Sequence, residues 1–99
     1  MKERDSEVLI EAHKQITKEL NEMYEKKNKD YGNSFERGLD TFGIIPAVAR
    51  ITEKNDRLVE LVTSGEQHVK DESIEDSLLD LANYAIMTVM WLRKNEGGK

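Results

Sequence analysis

Fifteen consecutive residues, Leu78 to Leu92, set the strongest limit on what this chain can fold into. Twelve of them are apolar or aromatic, and only Asp80, Asn83 and Thr88 interrupt the run. It is too long for an ordinary strand, contains no Gly or Pro, and wraps apolar side chains round every side of a helix. A helix that is apolar all round has to be covered all round. A chain of 99 residues has room for a single domain. Two other long helices do not easily supply that cover, so a second copy of the chain is the simplest remedy. The expectation is an all-α bundle of three long helices and a short one, completed by oligomerisation as a homodimer or tetramer.

The rest of the sequence reads the same way. Asp5 to Asn28 carries Leu9, Ile16, Leu20 and Met23 at helical spacing, widened by Ala12 and Tyr24. Asp30-Tyr31-Gly32-Asn33-Ser34 interrupts it with turn-forming residues. Residues 35–42 form a short helix ended by Gly43, and Pro46 suits the first turn of the next one. That helix spans about 45–62, with Val48, Ile51, Leu58 and Val62 inward, Asn55 among them, and Gly65 as a closing cap. After a polar loop, Asp71 or Ser73 can cap a last helix over about 72–94, leaving 95–99 as a tail. The domain is expected to be one all-α unit over 1–99.

Charge narrows the function classes. The chain carries a net −5, which disfavours direct nucleic-acid binding. Residues Glu66 to Asp80 hold six acids against Lys70, so that segment alone accounts for −5. With no cysteine there is neither a disulfide framework nor a thiolate site. No run approaches the roughly 20 apolar residues of a membrane span, and Met1 to Asp5 opens no signal core. A cytoplasmic location is therefore expected.

The last helix also carries a polar stripe. Glu72, Asp76, Asp80, Asn83 and Met87 follow at spacings of 4, 4, 3 and 4 and share one face, roughly opposite Leu78, Leu81, Ala85, Val89 and Leu92. Like charges four apart destabilise a helix, so a cation is expected to compensate them. Mg²⁺, which prefers carboxylate oxygens, is one choice; Arg or Lys from a neighbouring helix is the other. Arg50, Lys54 and Arg57 lie together on the preceding helix, beside Glu53, Asp56 and Glu60. Ordinary exposed ion pairs are the plainer reading of that group. His13, on the inner edge of the first helix, and His68, in the polar loop, are expected to have ordinary roles. Met87, Met90 and Trp91 are read as core or interface.

The string Lys29-Asp30-Tyr31-Gly32-Asn33-Ser34-Phe35 resembles a signature of the nucleotide modification associated domain 1 family of phages and their bacterial hosts. The resemblance continues through Phe42-Gly43-Ile44, Ala49 to Lys54, Arg57-Leu58 and the long block Asp71 to Met87, about two-thirds of the chain. That family looks like a divergent branch of the all-α nucleotide pyrophosphohydrolases, the MazG and dimeric dUTPase group. Those enzymes use an E-x-x-E pair on one helix and an E-x-x-D pair on the next. Glu53 with Asp56 would stand for the first pair and Asp80 with Asn83 for the second, with Asp76 supplying a missing charge. The departures are Asp56 and Asp80 in place of Glu and Asn83 in place of Asp.

The resemblance implies a Mg²⁺-dependent pyrophosphohydrolase-like protein that binds or cleaves (deoxy)nucleoside triphosphates in phage nucleotide metabolism or DNA base modification. Glu53 would be a ligand or the base that orients water, Asp56, Asp76 and Asp80 ligands, and Asn83 a neutral ligand or phosphate donor. Arg50, Lys54 and Arg57 would contact phosphates. Tyr31 could stack on a base that Asp30, Asn33 or Ser34 hydrogen-bonds; as plain structure, the same loop is a turn. Two other functions fit the sequence. One is a catalytically silent nucleotide-binding subunit; the other is a helical protein–protein interaction module.

Overall fold

A computed structural model describes residues 2–64 and 73–97. Four helices follow in order: α1 (Lys2–Tyr31), α2 (Ser34–Phe42), α3 (Ile45–Ser64) and α4 (Ile74–Gly97). No strand occurs among the described residues, and no helix is long and apolar enough to cross a membrane. The all-α expectation holds. The chain divides into two compact units, one ending at Gly32 and one starting at Asn33.

The first unit is the single helix α1. Nothing between Lys2 and Tyr31 breaks it: there is no Gly or Pro, and residues of high helical propensity dominate. It runs through Asp30 and Tyr31, where the sequence suggested a turn. The break is confined to Gly32 and Asn33, whose φ angles of 54° and 61° are left-handed. Gly32 takes that conformation without a Cβ penalty, and Asn tolerates it better than most residues. The Gly32 N–H still donates to the Asn28 carbonyl at 2.8 Å, closing the last turn. Leu20 is buried and Met23 and Tyr24 are half-buried, whereas Val8, Leu9, Ile10 and Ile16 are exposed. His13, expected on an inner edge, is exposed too.

In the second unit α3 and α4 pack most extensively on each other, and α2 lies against both. Gly43, at φ 79°, ends α2, and its N–H donates to the Leu39 carbonyl at 2.8 Å. Pro46 then sits in the first turn of α3, as expected. The start of α4 is a capping box: Ser73 Oγ accepts from the Asp76 N–H at 3.0 Å, and Asp76 Oδ2 accepts from the Ser73 N–H at 3.3 Å. Ser73 is thus the cap. The Gly65 cap, the loop with His68, and Asp71 and Glu72 lie outside the described residues.

Leu39, Ala47 and Leu61 form the aliphatic centre of this unit. The expected inward row of α3 is turned about its axis. Ala47 and Leu61 are buried, Ile51, Lys54 and Leu58 half-buried, while Val48, Val62 and Asn55 are exposed. At the α2–α3 corner the Ala47 and Val48 N–H groups donate to the Ile44 carbonyl at 2.9 and 3.2 Å, which starts α3 with Ala47 inside. A similar rotation affects α4. Leu78 and Val89, both expected inside, are 50% and 44% exposed. Ser77 and Thr88 are buried instead.

Candidate functional site

One row of polar and aromatic side chains of α4 is buried or half-buried. Ser77, Asp80, Tyr84, Thr88 and Trp91 recur at spacings of 3, 4, 4 and 3 and so share one face. Each is satisfied. Thr88 Oγ1 donates to the Tyr84 carbonyl at 2.7 Å, a local bond that lets a hydroxyl be buried in a helix. The Tyr84 ring meets Phe35 of α2 at 5.3 Å between centroids, tilted by 47°, a favourable aromatic geometry. Trp91 Nε1 donates to Asp40 Oδ1 of α2 at 2.9 Å. Lys94, near the end of α4, reaches Glu36 at 3.5 Å. No described buried side-chain nitrogen or oxygen lacks a partner.

Across the α3–α4 seam the central contact is Lys54 Nζ to Asp80 Oδ2 at 3.1 Å, both side chains only about a fifth exposed (23% and 21%). Asp80 is thus compensated by a cation from the neighbouring helix, one of the two choices the stripe left open. Asn83, one turn on, is buried. Asp76 is exposed and serves the capping box. Two roles expected from one stripe are therefore filled by different partners.

The remaining residues of α3 lie further out. Glu53 is exposed and pairs with Arg50 at 3.5 Å. Arg57, less exposed, pairs with Glu60 at 3.2 Å. Asp56 shares a shallow surface depression with Glu53, Arg57, Val59 and Glu60. On a helical wheel Arg50, Lys54 and Arg57, four and three residues apart, form one stripe of three cations. Asp56 lies opposite the buried Ala47 and Leu61, and Glu53 lies between it and the cation stripe. Among the described residues no three Asp, Glu or His side chains come together as a metal-holding group. Glu53, Asp56, Asp76 and Asp80 are thus not gathered into one such group among the described residues.

The loop residues are placed as follows. Asp30 and Tyr31 are exposed in the last turn of α1, Tyr31 at 68%. Ser34 is exposed at the start of α2. Asn33 adopts the left-handed conformation before α2, its side chain making no capping bond, while its carbonyl accepts from the Arg37 N–H at 3.0 Å.

Sequence reasoning missed Ser77, which is fully buried, and the α2 partners Asp40 and Glu36. The signal for Ser77 was present: its spacing to Asp80, Tyr84, Thr88 and Trp91 marks a polar face that meets the acidic stripe only at Asp80. Asp40 and Glu36 carried no such signal, because their partners are 51 and 58 residues away.

The model of the nucleotide modification associated domain 1 family matches residues 27–92, from the end of α1 to within the last turns of α4. Comparison with curated proteins and with solved structures gave no match. The match spans the cation stripe, the α3–α4 ion pair and the buried polar face, and the chain belongs to the nucleotide modification associated domain 1 family.

Proposed function

We propose that this protein binds nucleoside triphosphates through the cation stripe of α3 and the adjoining α3–α4 seam. The observation that carries this reading is the Lys54–Asp80 pair, held at 3.1 Å between α3 and α4 on a helix that also buries Ser77 and Asn83. A polar seam is costly to build where apolar residues are plentiful. Arg50 and Arg57 on the same stripe add planar donors suited to phosphate oxygens. Their present partners, Glu53 and Glu60, are surface acids whose pairs contribute little and yield readily. The family's association with nucleotide modification supports a nucleotide as the ligand. Phosphates would engage Arg50, Lys54 and Arg57, with Asn83 as a further donor. Ser34, exposed at the start of α2, offers a hydrogen bond to the base.

Mg²⁺ enters this reading as the counter-ion that accompanies the triphosphate, not as an ion gripped by a carboxylate cluster. The Lys54–Asp80 pair favours binding over pyrophosphate release, because Asp80 is already neutralised. The protein acts in nucleotide metabolism or base modification, inside the cell, and as a self-associated species whose partner copy covers apolar surface. Pyrophosphohydrolase activity requires Glu53, Asp56, Asp76 and Asp80 to be regrouped, with a second copy as the source of the missing ligands.

The test is thermal unfolding with each dNTP and NTP, with and without Mg²⁺, sampling the same mixtures for pyrophosphate. A ligand at 100 times its dissociation constant adds about 2.7 kcal/mol to native stability. The proposal expects stabilisation by a nucleotide that Arg57→Ala removes, without turnover. Pyrophosphate release lost in Asp80→Ala would replace it with the hydrolase. No shift with any nucleotide would overturn both and leave a helical interaction module.

A further inference from the structure

The face of α4 turned away from the row of Ser77 to Trp91 is apolar and partly exposed, with Leu79 and Ala82 half-buried on it. Glu75, Leu79, Ala82, Ile86, Val89 and Arg93 run along it at spacings of 4, 3, 4, 3 and 4, the alternation that keeps a seam in line along a two-helix contact. Glu75 and Arg93 are exposed at its ends. Ile86 and Val89 are each 44% exposed, and Leu78 and Met90 widen the strip on its flanks at 50% and 46%. The six positions cover about 28 Å of helix at ~1.5 Å per residue.

This strip complements itself when reversed. With two copies antiparallel, so that the two facing numbers sum to 168, Glu75 meets Arg93 of the second copy. Leu79 then meets Val89, and the small Ala82 meets the larger Ile86. The same three layers recur on the other side of a two-fold axis. In a parallel pairing, Glu75 would face Glu75, Arg93 would face Arg93, and Ala82 would leave a gap opposite Ala82. Like charges at both ends and a void at the centre oppose that arrangement. We infer that α4 packs antiparallel on α4 of a second copy of this chain, in an isologous interface closed at each end by a Glu75–Arg93 pair.

The interface needs no change in the inner face, whose side chains already hold α2 and α3. It specifies the surface for the self-association proposed above and does not depend on nucleotide binding.

The chain has no cysteine, so single thiols can be introduced into the full chain without removing any. Glu75→Cys and Arg93→Cys chains are mixed, oxidised and separated by mass, beside sedimentation of the wild type, Ile86→Glu, Glu75→Arg, Arg93→Glu and the charge-swapped double variant. The expected results are a disulfide between the two different variants, not within either alone, and a wild-type dimer. Ile86→Glu becomes monomeric with its helical circular dichroism retained. Each single charge reversal weakens the dimer about tenfold, ~1.4 kcal/mol, and the double variant recovers it. A self-associated species that resists Ile86→Glu, or Glu75→Cys linking to itself, overturns this interface while leaving self-association standing. A monomeric wild type overturns both.

Discussion

Towards α2 and α3, α4 presents a serine, an aspartate, a tyrosine, a threonine and a tryptophan; away from them it presents Leu78, Ala82, Ile86, Val89 and Met90. The usual amphipathic helix has the reverse arrangement. On the inner side each polar group has a specific partner, and burying such groups unpaired would be costly. Those partners, Lys54 for Asp80 and Asp40 for Trp91, fix which helices meet and in what register. The outer side makes no directional bonds, so it can take any apolar surface that matches its shape. The contrast separates two kinds of surface: polar contacts specify the fold of one chain, and the apolar area left over is the surface used in the proposed dimer.

Adjacent residues give the sharpest way to break this comparison. Ser77 is fully buried and Leu78 is half exposed. Ser77→Leu overpacks the inner side and lowers stability by about 2–3 kcal/mol. Leu78→Ser, measured in dilute protein, costs only about 0.5 kcal/mol, as surface substitutions generally do. Urea unfolding followed by circular dichroism compares them, and a costlier Leu78→Ser would reverse the assignment of faces.

A smaller effect concerns the ion pair. Lys54→Met leaves Asp80 beside an apolar neighbour in the seam and costs about 2 kcal/mol, below the range for a fully buried pair. Adding Asp80→Leu recovers most of that loss, because two apolar groups satisfy each other. If the double variant is no more stable than Lys54→Met, the pair does not hold α3 to α4.

The cap gives the smallest change. Ser73→Ala removes the side-chain half of the capping box and costs about 1 kcal/mol. Hydrogen exchange should speed up in the first turn of α4 and not at Thr88 or Trp91. An equal change along the whole helix would mean that the cap acts on global rather than local stability.

Much of the fold could be read from residue spacing alone. The interruption at Gly32, the stop at Gly43, the position of Pro46 and the Ser73 cap all follow from local backbone chemistry. The rotational setting of α3 and α4 did not. Val48 and Val62 are as apolar as the residues that replaced them inside, and only the meeting of three helices decides that Ala47 and Leu61 go in. In the stretch Leu78 to Leu92 of α4, where twelve of fifteen residues are apolar or aromatic, the pattern held too little contrast to identify an inner face.

The site was legible to a similar depth. The cation stripe of Arg50, Lys54 and Arg57 and the need to compensate Asp80 were visible from spacing. That Lys54 in particular reaches Asp80, and that Asp76 turns back to cap its own helix, depends on side-chain direction across the seam. A list of acids at helical intervals does not contain that information.

The nucleotide reading is tested most directly by the amide spectrum of the ¹⁵N-labelled 99-residue chain, titrated with Mg²⁺ and the triphosphate that stabilises it best. Saturable shifts concentrated at Arg50 to Arg57 of α3 and Asp80 to Asn83 of α4, with the outer positions Ile86 and Val89 unmoved, are the predicted result. Shifts confined to the outer face of α4, or none at any concentration, would contradict a nucleotide site on the α3–α4 seam.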